Sequence, residues 1–132
     1  MEALSTPVAR PVAEATQWAK AMFATIDAKD TEAFLGFLTA DARFVYGSFP
    51  PAIGAEAMRA TLNAFFGSVA TLSHTLEAVW TWPGIVICTG TVKYVRLDTR
   101  VVTLPFCDVL KLSAGKVTDY AIYVDPAPLM AP

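Results

Sequence analysis

Three side chains stand out as able to do acid–base chemistry: Asp108, His74 and Tyr46. Asp108 lies in the run Val102 to Leu112, whose even positions are Val102, Leu104, Phe106, Asp108, Leu110 and Leu112, while Thr103, Pro105, Cys107 and Lys111 are among the odd ones. Such period-two alternation predicts a half-buried strand, and Asp108 is the single charged residue on its apolar face. A carboxylate there is costly unless it is paired, hydrogen-bonded or protonated. His74, the only histidine, opens a second alternating run with Leu76, Ala78, Trp80 and Trp82, which places it on the face shared with Asp108. A His–Asp pair would raise the imidazole pKa, lower that of the carboxyl and form a general acid/base couple. Tyr46 closes a short apolar segment before the loop-forming run Gly47-Ser48-Phe49-Pro50-Pro51, and its phenol can donate or accept a hydrogen bond. The competing reading is structural: Asp108 paired with Arg96, Arg100 or His74, or hydrogen-bonded to a tyrosine, and His74 satisfied within the core.

Other chemistries lack their residues. One histidine rules out a His-rich metal site and an HExxH motif. There is no Gly-x-Ser-x-Gly elbow, neither Cys88 nor Cys107 has an activating neighbour in sequence, and no phosphate-binding loop is present. The expected chemistry therefore needs no metal and no organic cofactor.

The elements that must position these residues follow from the pattern. Residues 1–11 read as an arm, with Pro7 and Pro11 as breakers. Residues 12–125 form a single domain, and 126–132 a tail. Val12 to Ala28 carries Ala15, Trp18, Ala19, Met22 and Ile26 at helical spacing. Asp30 suits the N-cap of a second helix, Thr31 to Leu38, with Phe34, Phe37 and Leu38 on its core face. Asp41 to Tyr46 reads as a short strand. After Gly54 comes a third helix with Met58, Leu62, Phe65 and Phe66 facing inward. Strands over Ser73–Trp82 and Ile85–Arg96 then lead to a hairpin that turns at Ser113-Ala114-Gly115-Lys116. Segregated helices and strands predict an α+β domain.

Composition sets bounds. The 132 residues are 55% hydrophobic, above the ~45–50% usual for soluble domains, and only 17% charged. A lined internal cavity and a large oligomer face both account for this. Net charge is −2, without a basic patch or stripe, so no nucleic-acid partner is expected. The start, MEALSTPVARP, lacks the basic and apolar regions of a signal peptide, and no apolar segment approaches the ~20 residues that span a bilayer. The two cysteines fall on opposite strand faces, which disfavours a disulfide. A cytoplasmic protein with no membrane partner is expected.

At this point the chain resembles the nuclear transport factor 2-like superfamily, and within it the SnoaL-like domains, with limonene epoxide hydrolase and ketosteroid isomerase as relatives. The segments AKDTEAFLGFLTADARFVY, PPAIGAEAMRATLNAFF and LPFCDVLKLSAGKVTDYAIYVD carry the resemblance, over most of Ala28 to Asp125. It implies a strongly curved antiparallel sheet wrapped around three N-terminal helices, a cone with one internal apolar pocket, and frequent dimerisation through the outer sheet face. The catalytic sets of the relatives transfer in part only. The water-holding Tyr and Asn of the epoxide hydrolase fall at Phe44 and Tyr46, and its base falls at Ile122. Its Arg-x-Asp motif has no counterpart within Ile85 to Val95. The catalytic Asp of SnoaL-type cyclases falls in the run Tyr120-Ala121-Ile122, which has no acid. The base of ketosteroid isomerase falls at Tyr46 and its phenol near Met22, but its oxyanion-site acid falls on Asp108. That enzyme keeps the acid protonated in an apolar site so that it can donate a hydrogen bond.

Together these observations lead to a pocket for a small apolar or aromatic molecule, with proton transfer of isomerase, cyclase or dehydratase type. Asp108 and Tyr46 polarise an oxygen and His74 moves the proton. Trp18 or Met22, with Tyr94, Phe106, Tyr120 and Ile122, line the wall. A bulge is expected in the last strand, because Val117, Tyr120 and Ile122 all look inward-facing. The alternative is a non-enzymatic binding or dimerisation module whose pocket is filled by core side chains. A homodimer through the outer sheet face is expected from uncharged positions such as Val95, Val101 and Val109. Light scattering at micromolar concentration should give twice the chain mass; a clean monomer mass would contradict it.

Overall fold

The computed structural model describes residues 8–132. Of the arm expected over residues 1–11, residues 1–7 lie outside the described residues. Helix α1 (Val12–Asp27) starts behind Pro11 and buries Ala15, Ala19, Met22, Phe23 and Ile26 against the sheet. Helix α2 (Thr31–Leu35) is capped by the Asp30 side chain, which accepts from the Ala33 N–H at 3.1 Å. It stops at Gly36, a poor helix former, rather than continuing to Leu38 as expected. Leu38 instead opens strand β1 (Leu38–Tyr46), three residues earlier than the sequence pattern suggested. A two-residue strand, β2 (Ala52–Ile53), pairs with β1 inside the Pro-rich segment; it is too short to leave an alternation pattern. Helix α3 (Ala55–Gly67) buries Met58, Leu62 and Phe66.

Four long strands follow: β3 (Val69–Trp82), β4 (Ile85–Arg96), β5 (Val101–Ser113) and β6 (Lys116–Tyr123). The fold is α+β, with one six-stranded sheet in the order β2-β1-β6-β5-β4-β3, curved but not closed around the helices. The sheet is mixed rather than purely antiparallel. β1 runs parallel to β6, with Tyr46 opposite Ile122, because the third helix and the β3–β5 meander separate these two strands along the chain.

Three local features set which residues face inward. The β5–β6 turn is Ala114-Gly115, both at positive φ (50° and 80°), the two-residue hairpin geometry that favours Gly. In β6 the register slips between Lys111↔Asp119 and Leu112↔Val117, so Val117 and Tyr120 are both buried. In β3 the register slips between Leu76↔Gly90 and Ala78↔Thr89, leaving Glu77 extra. This β3 bulge overturns the expectation that Trp80 and Trp82 share the face of His74: beyond it Val79 packs inward, and Trp80 and Trp82 are 53% and 69% exposed. The segment 126–132 also departs from a simple tail. It carries helix α4 (Ala127–Met130), with Leu129 buried and the Leu129 carbonyl accepting from the Arg96 guanidinium at 3.2 Å.

Gly90 is where β4 passes the β3 bulge. A Cβ there would stand 2.0 Å from the Thr75 carbonyl oxygen, a backbone atom that cannot swing aside. Gly90→Ala should lower the urea midpoint by an amount equivalent to at least about 2 kcal/mol. Gly67→Ala, at the end of α3 with nothing within 4 Å, should be neutral or stabilising by up to about 1 kcal/mol. Equal effects of the two substitutions would contradict this close approach.

Candidate functional site

The inner face of the sheet, α1, α3 and the Pro-rich loop enclose a cavity of about 340 Å³. Tyr46, His74 and Asp108 all line it, together with Tyr94, Phe106, Tyr120 and Ile122. Trp18 and Met22 do not. Trp18 packs edge-on against Phe37 at 6.1 Å, under the Arg10 guanidinium, and Met22 is fully buried in the core. Helix α1 contributes Ile26 instead, one turn further on than Met22. Phe44, Phe49, Phe65 and Phe66 complete a largely aromatic wall, and Lys and Arg are absent from the lining. Met130 of α4 also reaches the cavity.

Asp108 is 2% exposed, between Cys88 on β4 and Ile122 on β6. Its partner is Tyr120, whose hydroxyl donates to Oδ2 at 3.2 Å from the diagonal position on β6. Tyr120 is itself held by Phe34 and Phe44, each with ring centroids 5.3 Å away. Asp108 Oδ1 is buried without a hydrogen-bond partner among the described residues. Thr39 Oγ1 and Asp119 Oδ1 share that state, but of the three only Asp108 lines the cavity. Burial pushes the Asp108 carboxyl up to about 8, with the Tyr120 hydrogen bond pulling part of the way back. At neutral pH the group is then a carboxylic acid. Oδ2 accepts from Tyr120, which leaves the acid proton on Oδ1 facing no protein acceptor.

The expected His74–Asp108 pair does not form. His74 is held by Asp27, the last residue of α1. Asp27 Oδ1 is 2.6 Å from His74 Nδ1, and Oδ2 accepts the His74 backbone N–H at 3.0 Å. That N–H is free because β3 is the edge of the sheet and pairs only with β4. Phe23, one helical turn before Asp27, stacks on the imidazole at 4.7 Å, and Phe106 meets it edge-on at 5.5 Å. A carboxylate can only accept, so Nδ1 carries the hydrogen; in the neutral ring Nε2 then holds the lone pair. Sequence reasoning missed Asp27. Its only signal was an acid at i+4 from Phe23 in a helix whose neighbouring residues are apolar.

Tyr46 and Tyr94 bond to each other, with hydroxyl oxygens 3.1 Å apart. Burial raises the pKa of both phenols, so they remain protonated donors. Cys88 lies behind Asp108, and burial pushes its thiol up to about 12, which removes it as a nucleophile. Among the described residues no cluster of three or more His, Cys, Asp or Glu side chains is placed to hold a metal ion. No helix among them is long and apolar enough to cross a membrane.

A family model described as "SnoaL-like domain" matches residues 19–120. No curated protein matches the sequence. Among solved structures, the chain is similar to a nuclear transport factor 2-like protein of unknown function from Burkholderia pseudomallei, at 16% identity and TM-score 0.80, covering 87% of this chain and 93% of that one. It is similar to TerC, crystallised with polyporic acid, at 18% identity and TM-score 0.77, covering 87% and 94%. It is also similar to an epoxide hydrolase of the limonene type from M. tuberculosis, at 18% identity and TM-score 0.73, covering 86% and 84%. At these identities the likeness establishes the fold.

The raised pKa of Asp108 also links stability to pH. In the unfolded chain an aspartate ionises near ~3.9. From there up to about 8 the folded chain holds a proton that the unfolded chain has released. This contribution to stability is therefore full below about pH 4 and lost as pH rises towards 8, at up to about 1.4 kcal/mol per pH unit. Asp108→Asn keeps the shape and removes the titration. The urea midpoint of the wild type should fall relative to that of Asp108→Asn between pH 5 and 8, and the gap should stop growing above that. A constant gap across the window would mean that Asp108 is already ionised at pH 5.

Proposed function

Since the chain belongs to the SnoaL-like domain family, we propose that its cavity binds a small uncharged apolar or aromatic carbonyl compound and catalyses proton transfer on it without metal or organic cofactor. The observation that carries this reading is Asp108, a buried acid in the cavity lining whose Oδ1 has no hydrogen-bond partner among the described residues. A ligand oxygen satisfies it. The donor then faces an oxygen on which negative charge develops, in a site where neighbouring dipoles are already fixed; one such donor is typically worth about 10²–10³ in rate.

His74 supplies the base. Its Nε2 takes a proton from the carbon next to the carbonyl. The C–H electron pair becomes the C=C bond of an enol or enolate, and the carbonyl oxygen takes up charge against Asp108. The imidazolium that forms is held by the Asp27 carboxylate. Returning the proton to another carbon gives an isomerase; delivering it to a leaving hydroxyl gives a dehydratase; attack of the enolate carbon on a second carbonyl gives a cyclase. Water activation of the epoxide hydrolase kind is not part of the reading, because Phe44, Tyr46 and Ile122 stand at that enzyme's positions.

A second reading has one observation in its favour: the relatives' acids are absent at Tyr46 and Ile122, as expected of a module that binds without turnover. The Asp27–His74 pair in the same lining supports catalysis instead, and a cavity of about 340 Å³ argues against a filled pocket. The outer sheet face leaves Trp80, Trp82, Val101 and Tyr123 exposed, which supports the homodimer. Both cysteines are unpaired, which supports a reducing cytoplasm.

Proton transfer can be followed without the natural substrate. With 2-tetralone in deuterium oxide, the protein should speed exchange of the α-hydrogens over buffer. His74→Gln should lower that rate by roughly 10²–10⁴, and Asp108→Ala by roughly 10²–10³. Exchange at the buffer rate, or a His74→Gln variant as fast as wild type, would contradict the proposal.

A further inference from the structure

We propose that the Tyr46–Tyr94 hydroxyl pair is a second oxygen-reading subsite of the cavity, and that the ligand is an uncharged two-ring compound carrying two oxygens, one for Asp108 and one for this pair. The inference rests on the reading of the cavity as a ligand site and goes beyond it by naming the ligand class.

Counting hydrogens leads to the second subsite. The two hydroxyls lie 3.1 Å apart, and a bond between them consumes one O–H. The other hydroxyl keeps its hydrogen, and among the described residues neither oxygen has any further partner. Whichever phenol donates to the other, one donor and several lone pairs remain. Both tyrosines line the cavity, so the spare groups are available to a ligand there. Their positions are fixed by packing: Tyr46 lies between Phe49 at 6.0 Å and Phe65 at 5.3 Å, and Tyr94 meets Phe65 edge-on at 5.8 Å. Asp108 lines the same cavity as both phenols, which puts the two polar spots in one volume.

Size and charge narrow the class further. A ~150 Å³ apolar cavity takes one benzene ring, so about 340 Å³ corresponds to two. With Lys and Arg absent from the lining, a carboxylate or phosphate on the ligand would be left unpaired. Hydroxyl or carbonyl oxygens suit both spots, because the tyrosine pair can donate and accept.

The test uses naphthols as probes, with binding followed by their fluorescence at pH 6. In the wild type, at least one of 1,5-, 2,6- and 2,7-dihydroxynaphthalene should bind about tenfold more tightly than 2-naphthol. In Tyr46→Phe/Tyr94→Phe, that ratio should fall to about one. Removing both hydroxyls together leaves neither unpaired, which favours a folded variant; the wild-type ratio stands as a test by itself should the variant not fold. If 2-naphthol binds but no diol binds more tightly, or if the advantage survives in the double variant, the second subsite is overturned and the ligand cavity is not. If 2-naphthol itself fails to bind, the cavity reading falls and the proposal with it.

Discussion

The structure depends on a carboxyl group buried in the middle of its sheet. Asp108 stands on the inner face of β5, with strands on both sides and 2% of its surface exposed. An ionised carboxylate there would lose its hydration with no cation in the lining to replace it. The cheaper state is the neutral acid, and Tyr120 decides its form by donating to one oxygen. The other oxygen is then a hydrogen-bond donor with no acceptor. Phe34 and Phe44 hold Tyr120 in place, so a single polar group in the site is set by the aromatic packing of α2, β1 and β6.

A second polar group stands on the same sheet, two strands away. His74 sits on the edge strand, where its backbone N–H has no strand partner, and the C-terminal residue of α1 supplies the missing acceptor. The same carboxylate takes the imidazole Nδ1, while Phe23 stacks on the ring. Backbone, ring nitrogen and ring face are therefore fixed by one turn of one helix. A buried acid and a histidine held at Nδ1 thus line one largely apolar volume.

Much of this was legible in the residues. The alternation of Val102 to Leu112 correctly put Asp108 on the buried face, because β5 is regular over that stretch. The conflict among Val117, Tyr120 and Ile122 pointed to the β6 bulge, since two phases cannot both be buried without one. The β3 bulge left no such conflict. Val79, Trp80 and Trp82 are all apolar, so nothing in the run marks where the phase reverses, and the alternation alone leaves Trp80 and Trp82 open between the pocket and an outer interface; the bulge puts them outside. The partner of His74 was hidden for another reason. Asp27 lies 47 residues away, and the contact depends on how α1 crosses an edge strand rather than on any local pattern. The parallel β1–β6 pairing and the packing of α4 are likewise tertiary outcomes, set by surfaces far apart along the chain.

The central claim is that Asp108 is a neutral hydrogen-bond donor at physiological pH. Carbon-13 NMR of the side-chain carboxyls, with Asp108 assigned by its loss in Asp108→Asn, measures this directly. The Asp108 resonance should stay at the position of a protonated acid from pH 5 to 7 and move in a single step centred near 8. A resonance already at the carboxylate position at pH 5 would contradict it.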